Sequence, residues 1–129
     1  MLVVIDTNVL VSALYSRDGG PARIISLVQN RILTPCYDYR ILAEYHGVLR
    51  RPKFGFAEWE VIDLLSQIEN DGLSVSPIPL DVELIDEQDL MFYEVAKHCN
   101  ARLVTGNLKH FPKDDFVCSV KNFLTILHV

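Results

Sequence analysis

The sequence predicts an α/β fold built on a parallel sheet with helices on both faces. Three features predict it. Short apolar runs of strand length recur along the chain. They are continuous and do not alternate apolar with polar, as buried strands do. Stretches of helical period separate them. In such sheets ligands bind beyond the carboxyl ends of the strands. Polar residues at those ends are therefore the first candidates for function.

Leu2 to Ile5 reads as the first buried strand, and Val9 to Tyr15 as a short helix capped by Asp6 or Asn8. Asp18-Gly19-Gly20-Pro21 is a loop, with Pro21 suited to open a helix that runs to about Asn30. Ile32 to Thr34 is a short strand. A helix from Tyr39 to Arg50 is stopped by Pro52, and another covers Ala57 to Glu69 until Asp71-Gly72 ends it. Leu73 to Val75 is a strand, and Ser76 to Asp86, with two prolines, is a loop. Gln88 to His98 is a helix, Arg102 to Thr105 a strand, and Val117 to Val120 a last strand before a short C-terminal helix.

With 129 residues, half of them apolar, the chain has room for one sizeable core, and a single domain over residues 1–129 is expected. Charged residues at 22% argue against disorder. No apolar run approaches the roughly 18 residues of a membrane span, and no signal peptide precedes the first strand, so a cytoplasmic protein without membrane contact is expected. The three cysteines, Cys36, Cys99 and Cys118, form no CxxC pair and read as free thiols. A net charge of −5 argues against a protein that coats nucleic acid through its overall field. It leaves room for a nuclease whose acids cluster at one site.

Three acids from distant segments lie at the edges of buried elements, and three carboxylates are what a hard divalent cation takes. Asp6 follows the first strand; its structural alternative is helix capping. Glu44 lies just outside the apolar stripe of Ile41, Leu42, Tyr45, Val48 and Leu49, beside Val48. Its alternative is an exposed pair with Arg40. Asp89 stands in the first turn of its helix, where an acid suits the dipole. Asp86 lies three residues before it, and at least one of the two is structural. Thr7, Asn8 and Thr105 can orient the acids. Thr105-Gly106-Asn107 is a strand-end turn in which Asn107 offers a weak carbonyl ligand, or in which Gly106 or Asn107 takes positive φ. The four histidines form no HxH or HxxxH pair and read as satisfied side chains. No Gly-x-Ser-x-Gly, GxxxxGK[ST] or GxGxxG motif occurs.

Taken in order, these pieces resemble the PIN-domain ribonucleases. The pieces are Val3-Val4-Ile5-Asp6-Thr7-Asn8-Val9, then Ile41-Leu42-Ala43-Glu44-Tyr45 with Val48 to Phe54. Asp86-Glu87-Gln88-Asp89-Leu90-Met91-Phe92 and Leu103-Val104-Thr105-Gly106-Asn107 to Pro112 follow. The likeness extends to Phe123-Leu124 and is strongest to a bacterial and archaeal subgroup described as toxins of toxin–antitoxin systems. It implies a three-layer α/β/α sandwich with a central, mostly parallel sheet. It implies Mg²⁺ or Mn²⁺ held by Asp6, Glu44 and Asp89, single-stranded RNA as substrate, a homodimer, and an antitoxin partner. Hydrolysis would leave 5′-phosphate and 3′-hydroxyl ends. Many members carry a fourth acid where this chain has Asn107, which would weaken a second metal ion.

Arg50, Arg51 and Lys53, with Phe54 and Phe56 near, are candidates to contact RNA backbone and bases; their alternative is a solvated helix end. Lys109 and Lys113 are further phosphate candidates. Two rivals stand beside the nuclease. One is a PIN-like module that binds RNA or protein with weak or lost catalysis. The other is a phosphatase of the haloacid dehalogenase type, with Thr105 in place, but Asn8 stands where that chemistry needs a second acid.

Overall fold

Val3, Val4 and Ile5 are removed from water on both sides, which only the middle of a sheet covered by helices allows. In the computed structural model, which describes residues 1–128, they belong to β1 (Leu2–Ile5), the central strand. The other strands are β2 (Thr34–Tyr37), β3 (Leu73–Ser74), β4 (Arg102–Val104) and β5 (Val117–Cys118). Their order is β3-β2-β1-β4-β5, and all four pairings are parallel. Val3 faces Pro35 on one side and Arg102 on the other. The chain steps outward from β1 to β2 and β3, then returns to lay β4 on the free side of β1. That reversal opens a crevice at the carboxyl end of β1.

The helices are α1 (Thr7–Tyr15), α2 (Gly20–Gln29), α3 (Tyr39–Leu49), α4 (Glu58–Asp71), α5 (Leu90–Cys99) and α6 (Val120–Leu127). Helix α5 lies against β1, β2 and β4; α2 packs on α1 and α6; α3 touches α1, α4, α5 and β2. The result is the α/β/α arrangement expected, with a sheet that is wholly parallel. No helix among the described residues is long and apolar enough to cross a membrane.

Several boundaries differ from the sequence reading. Strand β2 begins at Thr34 and runs through Pro35, whereas Ile32, expected to open it, is exposed. The Thr34 amide donates to Met1 O at 2.8 Å, so the nitrogen of Pro35 faces away from β1. On that side pairing with β3 starts only opposite Cys36, and the missing N–H breaks no bond. Strand β5 stops at Cys118 because Ser119 caps α6, accepting the Asn122 amide at 3.1 Å. Asp89 precedes α5, in a 3-10 turn over Glu87–Asp89. Only glycine fits at the C-cap of α4: a Cβ at Gly72 would stand 2.3 Å from Ile68 O and 2.6 Å from Pro35 O.

One polar network sits inside the fold. Asp38 caps α3 by accepting the Ile41 amide at 3.0 Å. Arg40 donates to Asp38 and to Glu94 of α5 at 2.7 and 2.9 Å, and both acids are buried. The second oxygen of Glu94 accepts the Leu80 amide at 2.6 Å, anchoring the long loop that leads to Asp86 and Asp89. Arg40→Ala leaves two buried carboxylates without a cation and is expected to cost about 3–5 kcal/mol. Arg50→Ala, which breaks a pair with the exposed Glu58, is expected to cost no more than about 1 kcal/mol. Urea denaturation of the two variants checks the contrast.

Candidate active site

The crevice at the end of β1 is built outward from Asp6. Its amide donates to Val104 O at 3.0 Å, so it continues the β1–β4 ladder, and its side chain is 5% exposed. Asp6 occupies the N-cap position of α1 but makes no capping bond with its side chain. The carboxylate instead accepts a hydrogen bond of 2.7 Å from Thr105 Oγ1. Thr105 is fully buried at the end of β4, and its hydroxyl also accepts the Asn107 amide at 2.9 Å. The capping alternative for Asp6 is thus set aside by the sheet, which brings Thr105 to it across 99 positions of sequence.

Glu44 reaches the same crevice from α3. Tyr45, next to it, is buried and donates its hydroxyl to Ile5 O, which ties α3 to the last residue of β1. Glu44, one residue earlier on the helix, reaches α1, where Thr7 Oγ1 donates to its carboxylate. The exposed pair with Arg40 does not form, because Arg40 is engaged by Asp38 and Glu94. Asp89 enters from the turn before α5 and lies 3.2 Å from His110 Nδ1. Asp86 accepts the Gln88 amide at 3.0 Å and so closes that turn, the structural role expected of one of the two acids.

Asp6, Glu44, Asp86, Asp89 and Asn107 line one open cleft of about 310 Å³, together with Arg51 and Phe54. Asn8 also lines it and accepts the Gly106 amide at 3.3 Å. Neither Gly106 nor Asn107 has positive φ; side-chain bonds from Asn8 and Thr105 hold the turn instead. The RNA-contact candidates divide. Arg51 is in the cleft. Arg50 points away to Glu58 and His46, and Lys53 lies over the Phe54 ring at 5.2 Å. Phe54 stacks on Phe56 and meets the edge of Tyr15. Lys109 lines a neighbouring groove.

No arginine or lysine pairs with Asp6, Glu44, Asp86 or Asp89 among the described residues. Burial is the main reason that the Asp6 carboxyl rises to about 6, with the charges of Asp89 and Glu44 adding to it and the Thr105 bond opposing it. Asp89 is raised too, first by burial, against its bond from His110. Tyr45 is held far above the usual phenol range by its burial. The donors are hard oxygens that repel one another in one cleft, which suits a hard divalent cation. As they stand, no three His, Cys, Asp or Glu side chains among the described residues are gathered closely enough to hold one. Glu44 turns to Thr7 and Asp89 to His110. The sequence reading missed His110: a histidine 21 positions from Asp89 gives no spacing signal.

A family model described as PIN domain matches residues 2–109, a span that contains every acid of the cleft. An uncharacterised protein of Methanocaldococcus jannaschii is 29% identical over 108 residues, covering 81% of this chain and 70% of its own length. No solved structure matches the chain.

Asp6 allows a test of the cleft that needs no activity. Its folded-state value of about 6 exceeds the ordinary 3.8. The folded protein therefore binds this proton more tightly, and the stability it lends is lost as pH rises through 6. Asn keeps an acceptor for Thr105 without the charge. Asp6→Asn is expected to stabilise the protein in EDTA at pH 7.5 by about 1–3 kcal/mol, with the gain vanishing toward pH 4. Urea melts at the two pH values read it directly.

Proposed function

The chain belongs to the PIN-domain family, with its nuclease-type fold, and from that premise we propose that it is a Mg²⁺- or Mn²⁺-dependent endoribonuclease that hydrolyses single-stranded RNA. The observation that carries this reading is the cleft itself: four carboxylates line one open crevice at the end of the central strand, with no arginine or lysine paired to them among the described residues. Elsewhere in the molecule buried acids are neutralised, as Asp38 and Glu94 are by Arg40. Uncompensated acids in a cleft mark a place where binding takes precedence over stability.

Asp6, Glu44 and Asp89 are the residues that would hold the ion, with Asn107 Oδ1 a weak addition. A bound divalent cation supplies Lewis acidity, which neutralises charge developing on the phosphate and lowers the pKa of an attacking water. The remaining work falls to the chain. Thr105 and Thr7 orient Asp6 and Glu44, and His110 orients Asp89. Arg51, which lines the cleft beside Phe54, would meet a phosphate oxygen. The same reading makes the protein a single-domain, cytoplasmic, homodimeric toxin whose antitoxin covers the acidic cleft.

Asn107 favours a second reading, a PIN-like module that binds RNA or protein with weak catalysis. A neutral side chain there lowers the charge available to a second ion, and the acids are not gathered into a ligand cluster among the described residues. One assay separates the two. With a labelled single-stranded RNA and saturating Mn²⁺, Asp6→Asn, Glu44→Gln and Asp89→Asn are each expected to lose at least about a hundredfold in rate, and Thr105→Val about ten- to a hundredfold. If Asp6→Asn cleaves as fast as the parent, the nuclease reading fails. Asn107→Asp is expected to tighten Mn²⁺ binding in calorimetry.

A further inference from the structure

Of the twelve lysines and arginines of this chain, four are held in ion pairs and the others, Lys109 and Lys121 among them, are in none among the described residues. Arg17, Arg31, Arg40 and Arg50 are committed to ion pairs with Glu60, Asp71, Asp38 with Glu94, and Glu58. Lys109 and Lys121 make no ion pair among the described residues, and both are exposed. They are 12 positions apart in sequence, yet they line one groove of about 520 Å³. One wall is the 3-10 turn Leu108–His110; the other is the start of α6 at Ser119 and Lys121. His110 is the only other ionisable residue in its lining, so the groove has no acid of its own. Asn107 belongs both to this groove and to the acidic cleft, so the two hollows meet along one side chain.

A polyanion in the acidic cleft meets a physical problem. The carboxylates that draw a cation to the scissile phosphate repel the phosphates on either side of it. Each flanking phosphate therefore needs a basic place to leave the cleft. Arg51 and Phe54 line the cleft itself. In the adjoining groove, which shares Asn107 with the cleft, lie Lys109 and Lys121.

We propose that the Lys109–Lys121 groove is a phosphate subsite for the RNA strand, holding backbone phosphate next to the scissile one after the strand passes Asn107. The subsite rests on the single-stranded RNA reading given above. It carries the strand from the acidic cleft past Asn107 to the two lysines. Contact there is with backbone, so it strengthens binding to every sequence alike.

The test is anisotropy of a labelled single-stranded RNA in EDTA, where nothing is cut, titrated with salt. The proteins are the parent, Lys109→Ala/Lys121→Ala, and Lys97→Ala. Lys97 is a control on the last turn of α5, where it lines a different hollow with Ile78 and Glu94. The double variant is expected to bind about tenfold more weakly at low salt, and its log–log salt slope to fall by about 1.4, roughly 0.7 for each lysine. Lys97→Ala is expected to match the parent. If the parent binds RNA and the double variant binds it equally with the same slope, the groove is not a subsite, and the RNA reading stands without it. If the parent neither binds RNA in EDTA nor cleaves it with saturating Mn²⁺, the RNA reading falls and takes the subsite with it. If it cleaves without detectable binding in EDTA, an unchanged KM in the double variant excludes the subsite.

Discussion

The site depends on the pairing of β1 between β2 and β4. The strand is only four residues long, yet it is the middle strand of the five, where the strand order reverses. Its ladder with β4 runs one residue past the strand, through the Asp6 amide to Val104 O. That single bond fixes where Asp6 stands, and Thr105, the residue just after β4, supplies the hydroxyl that holds its carboxylate. Shift the β1–β4 register by one residue and both are lost, because a slip of one turns every side chain to the other face. The acids on α3 and before α5 matter only because this point is fixed first.

Two classes of carboxylate show what burial means in this protein. Asp38 and Glu94 are as buried as Asp6, but each is matched by Arg40 and by a backbone amide. They are cross-links, joining α3, α5 and the loop at Leu80. Asp6 has no cation: burial first, and then the charges of Asp89 and Glu44, raise its pKa against the Thr105 hydroxyl and, more weakly, the Thr7 amide. Leaving a buried carboxylate so poorly compensated costs stability. The fold meets that cost close by, with a core of Val3, Val4, Ile5, Leu103 and Val104 that is almost dry.

Positioning of the acids is done by their neighbours in sequence. Tyr45 drives its ring into the core against Phe92 and ties its hydroxyl to Ile5, so Glu44 has little choice of direction. Asp86 closes the turn that presents Asp89, and Asn8 and Thr105 bind the Gly106-Asn107 turn by its amides. Each supporting group is fixed by packing or by a hydrogen bond, the condition for a side chain to hold a productive orientation.

The sequence by itself determined the order of elements, the parallel sheet and the positions of Asp6, Glu44, Asp89 and Asn107. Those are written in local patterns: apolar runs, helical stripes, and acids at the edges of both. Thr7, Asn8 and Thr105 were legible as polar neighbours, though not which group each would hold. Tertiary structure decided the rest, since it is a matter of contacts between distant positions. It alone chose Arg40 for Asp38 and Glu94 in place of Glu44, turned Arg50 away from the cleft, and set Pro35 inside a strand where its missing N–H faces no partner. It alone brought His110 to Asp89 and Lys121 into one groove with Lys109. Periodicity reports which face of an element is apolar; which other element meets that face is settled only when the chain closes.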